Sequence, residues 1–342
     1  MKTWQKIQHH QSLIDRYLVR ERVIDDIRAF FKQQDFHEVE TPLLVEHPGT
    51  EPYLEVFETQ LQLADGRSKK GFLTTSPEYS MKKLLVAGLP KIFQICKSFR
   101  NNEGLGGMHN HEFTILEWYR TEADYQEVMK DCEQLLIHLV GGSTLTYQDR
   151  EYDLTIPWPR ISVAEAFERW CGLSTDEFLE VKNLKHKAEE LGLSVSAEDT
   201  WDNLYSLLMV HVIEPELAKF NQPIFLYDYP LSQAALSKRK VDDPRFAERF
   251  EWYVGGIELG NAFSELTDAQ EQKQRLVEEL QLRKELGKKE YTLDEDFITA
   301  LETGMPEAGG IAVGVDRLIM LLADVPSVKE TLLFPTEDVF EV

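Results

Sequence analysis

Arg100 stands at the end of an apolar run, in a position that suits phosphate binding. Residues 92–99 predict a strand, and Asn101, Asn102, Glu103 and a glycine-rich stretch at 104–107 follow it. A guanidinium group binds phosphate through two parallel hydrogen bonds, so an arginine beside a flexible loop suits an anionic ligand. The loop has neither the Walker pattern nor G-x-G-x-x-G, which excludes the usual glycine-loop nucleotide sites. An ordinary hairpin with a surface arginine is the alternative interpretation.

Glu117 and Tyr119 lie on the next predicted strand and point to a different chemistry. Alternation along a strand puts both side chains on one face, together with Phe113 and Ile115. A carboxylate next to a phenol on such a face can bind an ammonium group. A solvent-facing strand surface is the alternative.

Glu258 and Glu265 are seven residues apart in a segment of apolar and small residues. Two carboxylates together with phosphate oxygens form the kind of site that Mg²⁺ prefers. In a regular strand, a separation of seven puts the two side chains on opposite faces, so a shared ion requires a bulge near Gly260. The alternative is a strand with one acid at each end.

The segment 309–317 joins a glycine-rich strand to a helix. Glycines such as Gly314 let a ligand approach the backbone closely. Arg317 at the start of the helix suits an anion, helped by the free amide groups there, and Asp316 is a candidate helix cap. A buried glycine-rich strand with a salt bridge is the alternative.

These residues need a sheet to position them. Apolar residues at helical spacing predict a helix over about 13–33, followed by a short strand that Pro42 ends. Further strands are expected within 91–119, 225–229, 251–264 and 311–315. Because their spacing is uneven and one pair resembles a hairpin, an α+β fold with an antiparallel or mixed sheet flanked by helices is favoured. We expect residues 1–342 to form one domain, with a mostly helical insertion at about 125–215.

Composition narrows the class of protein. The chain has 342 residues, of which 42% are apolar and 28% charged, and 37 basic against 60 acidic residues give a net charge of −23. This balance is unfavourable for general nucleic-acid binding, which depends on Lys and Arg. We found no apolar run of membrane-spanning length, no signal peptide, and only three cysteines without metal-ligand spacing. A cytoplasmic location is therefore expected.

The order of these motifs resembles the three motifs of class II aminoacyl-tRNA synthetases, over about residues 20–333. The elements are the helix that leads to Pro42, then Phe99-Arg100 with Glu103, then Gly314-Val315-Asp316-Arg317. The lysyl-tRNA synthetase branch is indicated by residues 75–78, 109–110 and 112–114, by Glu117, and by the segments 257–258 and 261–265.

Within that branch, the chain is similar to the elongation factor P–(R)-β-lysine ligase family, the truncated paralogue of lysyl-tRNA synthetase. Only about 20 residues precede the first motif helix, so an anticodon-binding OB domain is not expected. The segment Tyr229-Pro230-Leu231-Ser232-Gln233-Ala234 resembles that family, and Ala312 stands where the synthetases have glycine. One methyl group in a pocket is worth about 1–3 kcal/mol of discrimination.

The resemblance implies an enzyme that activates (R)-β-lysine, or lysine, with ATP and Mg²⁺ and transfers it to a lysine of elongation factor P. It also implies a homodimer and no role for tRNA or a membrane. The implied ATP-binding residues are Arg100, Asn101, Asn102, Glu103, Asn110, Glu258, Leu259, Gly314 and Arg317. The implied substrate-binding residues are Ser76, Pro77, Glu78, Glu117, Tyr119, Glu265 and Ala312. The implied Mg²⁺ ligands are Glu258 and Glu265.

One loop departs from the family pattern. Residues 107–112 read Gly-Met-His-Asn-His-Glu, without the arginine and proline that the family has there. Either ATP is used less well, or another basic residue takes the role of that arginine. Two other functions are consistent with the sequence: a ligase with a different acceptor, and a catalytically inactive binding protein.

Overall fold

The computed structural model describes residues 3–104 and 107–341, and its centre is an eight-stranded mixed sheet. The strands in chain order are β1 (His37–Glu38), β2 (Leu44–Val45), β3 (Glu58–Gln62), β4 (Ser68–Leu73), β5 (Lys91–Phe99), β6 (Glu112–Thr121), β7 (Thr144–Tyr147), β8 (Arg150–Asp153), β9 (Arg160–Ser162), β10 (Ile224–Pro230), β11 (Phe246–Val254), β12 (Ile257–Ser264) and β13 (Ala308–Gly314). The main sheet has the order β1-β5-β6-β13-β12-β11-β10-β9. Only its outermost pairs, β1 with β5 and β9 with β10, are parallel. The predicted α+β class with a largely antiparallel sheet is confirmed.

Helices cover both faces of this sheet. They are α1 (Thr3–Ile7), α2 (Gln11–Gln33), α3 (Glu78–Val86), α4 (Tyr125–Val140), α5 (Val163–Ala166), α6 (Thr175–Phe178), α7 (Val181–Glu190), α8 (Trp201–Leu208), α9 (Glu214–Leu217), α10 (Ala269–Glu285), α11 (Glu295–Glu302), α12 (Val315–Leu322) and α13 (Thr336–Phe340). Short π-helical turns at Phe167–Cys171 and Met209–Ile213, and 3₁₀ turns at Leu231–Gln233 and Val328–Thr331, complete the helical elements of the described chain. None of its helices is long and apolar enough to cross a membrane.

One face of the sheet carries the main apolar core. The helices α2, α4 and α12 pack there, and α2 contributes Val23, Ile27 and Phe31 at helical spacing. Burial of such an apolar stripe, more than intrinsic helix propensity, stabilises a helix of this kind.

The alternation of β6 shows why the opposite face is available for chemistry. Leu116 and Trp118 point into the main core, whereas Glu117 and Tyr119 point to the other face. The same alternation on β13 puts Ile311 and Val313 in the core. It directs Ala312 to the other face, where Glu117 is its partner across the strand pair.

The stretch 125–215, expected to be mostly helical, divides into two parts. The helix α4 belongs to the main core, and the hairpin β7–β8 follows it. The helices α5 to α9 form a second apolar core that packs on strands β10 and β11 at the far end of the sheet. This helical unit borders the face that carries the candidate site, since Asp202 of α8 lines the cavity there.

Candidate active site

A cavity of about 720 Å³ opens on the face of the sheet opposite the main core. Most of the residues singled out from the sequence line it: Ser76, Glu78, Arg100, Glu103, Asn110, Tyr119, Glu258, Leu259, Ala312, Gly314 and Arg317. They come from three strands (β6, β12 and β13), two helices (α3 and α12) and the loops between elements, so the sheet brings distant parts of the chain together. A second cavity of about 380 Å³ adjoins it, and the two share Glu51, Ser76, Glu78 and Tyr79.

One end of the large cavity is suited to a nucleotide. The guanidinium carbon of Arg100 lies 5.2 Å from the centroid of the Phe113 ring. Its Nε is buried and has no hydrogen-bond partner within the described residues. An unpaired buried donor is costly, so this group is matched to an acceptor such as a phosphate oxygen. The Phe113 ring beside it offers a flat apolar surface for an aromatic base.

Arg317 lies at the start of α12, where its guanidinium forms an ion pair with the Glu258 carboxylate at 3.4 Å and three further polar contacts. Its guanidinium donates to the backbone oxygens of Glu258, at 2.7 Å, and Met108, at 3.3 Å. Its Nη2 lies 2.9 Å from Nε2 of His109, which therefore accepts the hydrogen bond. Burial, and then the charge of Arg317, lower the pKa of His109. The loop that lacks the family's arginine thus presents a neutral imidazole to Arg317.

Asp316 does not cap α12, in contrast to the sequence-based prediction. The cap position is Gly314, and the Asp316 side chain is buried. It accepts a hydrogen bond from the backbone N–H of Thr114, at 2.8 Å, and one from Arg20, at 2.6 Å. Asp316 therefore ties α2 and β6 to α12, which fixes the position of the adjacent Arg317.

The other end of the cavity lies over a buried carboxylate, Glu117, that is fully shielded from solvent. Ser76 donates a hydrogen bond to it at 2.6 Å, and the Tyr119 hydroxyl donates another at 2.9 Å. Burial, and then the neighbouring Glu78, raise the pKa of Glu117 to about 8. The carboxylate thus lacks a full counter-charge, and a bound ammonium group would supply one.

Glu265 lies in the same cluster, below the cavity surface. Its Oε2 is 2.5 Å from Nζ of Lys82, and Lys82 also donates to Glu78 at 2.5 Å. Burial raises the pKa of Glu265 to about 8. The charge of Lys82 acts in the opposite direction, but the charge of the nearby Glu78 counteracts it. Three carboxylates share one lysine here, so the cluster as a whole is short of positive charge.

Lys82 is absent from the site residues that the sequence predicts. It stands four residues after Glu78 on α3, which is the spacing of a helical ion pair. That spacing was the available signal, but it is common on exposed helices and does not indicate burial.

The predicted backbone irregularity near Gly260 is present. Trp252 pairs with Gly260 and Tyr253 pairs with Glu258, so Leu259 is an extra residue that forms a β-bulge. The bulge places Glu258, Asn261 and Phe263 together on the cavity side.

The prediction that Glu258 and Glu265 share one Mg²⁺ is nevertheless wrong. Even without the bulged residue, six strand positions separate them, which corresponds to roughly 20 Å. Two glutamate side chains cannot close that gap onto one ion with ligand distances of about 2.1 Å. Glu265 is also fully buried against Lys82.

Glu251 is the carboxylate that the structure places beside Glu258. It lies on β11, where it pairs with Asn261, and both glutamates line the large cavity. The charge of Glu251 is, after burial, the main cause of the raised pKa of Glu258. Glu251 now contacts Arg249 at 2.7 Å and the Tyr253 hydroxyl at 2.5 Å. The described residues contain no group of three or more metal-ligating side chains, so a cation here would need further oxygens, such as those of phosphate.

Asn101 and Asn102 do not line the cavity, in contrast to the prediction that they bind ATP together with Glu103. Both are exposed in a turn, where the Asn101 side chain accepts a hydrogen bond from the Asn102 backbone at 2.9 Å. Of the three, only Glu103 lines the cavity.

Two further predicted site residues have structural contacts. Asn110 donates to the backbone of Glu112 at 2.6 Å and accepts from the backbone of Thr336 at 3.0 Å, so its amide is already bonded at both ends. Pro77 is the cap residue of α3 and does not line the cavity.

The segment Ser232-Gln233-Ala234 also lines the cavity, opposite the sheet. Gln233 donates to Asp202 at 2.6 Å, and the half-buried Arg249 donates to the Gln233 backbone oxygen and to Asn261. This segment therefore links the helical unit to the strand that carries Glu258.

Comparison with known proteins gives consistent results. Residues 4–338 match the family model for class II tRNA synthetases (D, K and N). The chain is 40% identical over 322 residues to an elongation factor P–(R)-β-lysine ligase of Histophilus somni, covering 94% of this chain and 95% of that protein.

The lysine–tRNA ligases of Carboxydothermus hydrogenoformans and Moorella thermoacetica are 37% and 36% identical to this chain. The match covers 94% of this chain but only 65% of either ligase, so the chain spans about two thirds of their length. With 40% identity that extends over 95% of a ligase of that name, the chain belongs to the elongation factor P–(R)-β-lysine ligase family, within the class II tRNA synthetases.

Proposed function

We propose that this protein is an ATP-dependent ligase that activates (R)-β-lysine as an adenylate and transfers it to a lysine side chain of elongation factor P. The observation that carries the proposal is the arrangement of the large cavity. At its nucleotide end, the buried Nε of Arg100 has no hydrogen-bond partner within the described residues and an aromatic ring lies beside it. At its other end, the buried carboxylate of Glu117 lacks a full counter-charge. The near full-length match to a ligase of that name supports the choice of substrates.

The chemistry needs positioning and charge stabilisation and no enzyme nucleophile. The carboxylate oxygen of the amino acid attacks the α-phosphorus of ATP, and the bond to pyrophosphate breaks. Arg100 binds the α-phosphate and Arg317 the γ-phosphate, so both hold negative charge where it develops. The amine of the acceptor lysine then attacks the adenylate carbonyl, AMP leaves, and the amine loses a proton.

Glu251 and Glu258 are the residues that would hold a magnesium ion at the nucleotide end. They are two carboxylates on neighbouring strands, and their mutual repulsion, visible in the raised pKa of Glu258, would be relieved by a cation. When bound, Mg²⁺ would neutralise negative charge of the triphosphate.

The amino-acid end fits a substrate with two amines. Glu117 and Tyr119, with Glu265 behind them, face the position of the side-chain ammonium, and Ser76 and Glu78 lie near the second amine. Ala312 adds a methyl group directly opposite Glu117, in the part of the pocket where an α-amine and a β-amine differ.

The remaining parts of the proposal concern partners. The acceptor is a translation factor, so the protein acts in the cytoplasm. The strongly negative net charge disfavours tRNA as a partner. We also propose a homodimer in which the α2 helices lie at the two-fold axis.

The test is ATP–pyrophosphate exchange with (R)-β-lysine, followed by transfer of labelled amino acid. We expect exchange with (R)-β-lysine and label on elongation factor P. Label on tRNA, or on neither acceptor, would indicate a ligase with another acceptor. No exchange with any diamino acid would indicate an inactive binding protein.

A further inference from the structure

Lys82 is a buried cation that the chemistry above does not use. Its side chain is 1% exposed and lies at the second turn of α3. Nζ contacts Glu78 Oε1 and Glu265 Oε2, each at 2.5 Å, and lies 5.1 Å from the centroid of the Phe263 ring. A lysine is almost never buried to this extent unless its charge is compensated.

The two carboxylates that Lys82 contacts come from different elements. Glu78 is at the first turn of α3, and Glu265 directly follows β12. Glu78 lines the large cavity, whereas Glu265 lies beneath it, next to Glu117 and Tyr119 of β6. The lysine thus joins the upper and the lower parts of the amino-acid end.

The packing around this ion pair leaves little room for adjustment. A Cβ added at Gly310 would lie 2.2 Å from a ring carbon of Tyr119 and 2.5 Å from Oε1 of Glu265. The same Oε1 is buried and has no hydrogen-bond partner within the described residues. Lys82 is therefore the contact that holds this carboxylate in place.

We propose that Lys82 is a positioning residue for the amino-acid subsite, holding Glu78 and Glu265 at a fixed separation that matches a diamino acid of one chain length. The proposal rests on the proposed function. Without Lys82, the two carboxylates repel each other and take up protons, and a neutral carboxyl group binds an ammonium group poorly.

The test compares Lys82→Met with Lys83→Met in pyrophosphate exchange with (R)-β-lysine, lysine and ornithine. Lys83 is the matched control, because it is the next residue on α3 and also contacts two carboxylates, Asp294 and Asp296, outside the large cavity. In Lys82→Met we expect KM for lysine to rise at least tenfold, KM for ATP to stay within twofold, and the preference for lysine over ornithine to fall towards one. Lys83→Met is expected to behave as wild type.

A folded Lys82→Met variant that keeps the wild-type preference and KM would overturn the proposal while leaving the proposed function intact. Wild-type protein that exchanges with no diamino acid would overturn both.

A second variant addresses a failure to fold. Lys82→Ala is prepared and assayed with propylammonium or with propanol, which fill similar space but differ in charge. We expect propylammonium alone to restore the low KM for lysine. Equal restoration by propanol would mean that Lys82 only fills space, and no restoration by the amine would also overturn the proposal.

Discussion

At the scale of single residues, Ala312 is the side chain with the clearest link to substrate choice. It faces the cavity between Glu117 and Asn261, its partners on the two neighbouring strands. We expect Ala312→Gly to raise kcat/KM for lysine relative to β-lysine by about tenfold, or roughly 1.4 kcal/mol. KM for ATP should stay the same, because Ala312 is paired with Glu117 at the amino-acid end of the cavity. Pyrophosphate exchange with both isomers measures this ratio of kcat/KM values. An unchanged ratio would contradict the role of Ala312 and would indicate that discrimination lies in another part of the cavity, such as Ser232-Gln233-Ala234.

The buried carboxyl of Glu117 predicts how pH affects ligand binding. Its pKa is about 8 in the folded protein against 4.5 for the ordinary group, so the folded state binds the extra proton between these values. This group's contribution to the free energy of unfolding therefore falls as pH rises from about 4.5 to about 8. A bound ammonium group lowers that pKa, so lysine binding releases protons and strengthens with pH over this range.

The measurement is the increase in melting temperature with saturating lysine, at pH 6 and at pH 8.5. We expect a larger increase at pH 8.5 in the wild type and little difference in Glu117→Gln. An increase that does not depend on pH in the wild type would contradict the assignment of Glu117 as an ammonium ligand.

At the scale of elements, the bulge in β12 divides the acidic residues into two groups with different roles. Glu251 and Glu258 lie together towards the nucleotide end, whereas Glu265 lies six strand positions away beside Lys82. We expect Glu251→Gln and Glu258→Gln to increase, by tenfold or more, the Mg²⁺ concentration that half-saturates exchange. Glu265→Gln should instead raise KM for lysine with little change in the Mg²⁺ requirement. A Mg²⁺ requirement that moves only in Glu265→Gln would contradict this division.

The same elements show how far the sequence determines the site. Alternation within one strand was sufficient to place Glu117 with Tyr119, because period two is a local property. A bulge near Gly260 is also predicted, because a Mg²⁺ shared by Glu258 and Glu265 requires it; the bulge is present at Leu259 although the two glutamates do not share an ion. The partnership of Glu251 with Glu258 depends on the register between two strands, and local periodicity contains no information about register. Similarly, the role of Lys82 becomes visible only once α3 is packed against the end of β12. The resemblance implies that Asn101 and Asn102 bind ATP, but it contains no information about the turn that exposes both side chains.

At the scale of the whole molecule, the sheet separates the apolar core that stabilises the fold from the residues of the candidate site. The main core lies on one face with α2, α4 and α12, and the charged residues of the cavity lie on the other. The buried ion pair between Arg20 and Asp316 connects α2 to the start of α12. A change in how α2 packs would therefore reach Arg317, which gives the proposed two-fold contact a structural connection to the nucleotide end.

The proposed dimer is testable through the outer surface of α2. Val23, Ile27 and Phe31 are buried on one side of this helix, whereas Tyr17 and Leu18 are 40% and 51% exposed. Exposed apolar side chains on a long helix are typical of a contact surface. We expect sedimentation at micromolar concentration to give twice the chain mass of 39.6 kDa for the wild type. Leu18→Glu should shift the measured mass to that of a single chain, because the substitution places a charge in an apolar contact.

Val241→Glu is the control, since Val241 is 89% exposed in a loop remote from α2 in sequence, and this substitution should leave the mass unchanged. A single-chain mass for the wild type, or a dimer that Leu18→Glu does not weaken, would contradict this placement of the two-fold axis.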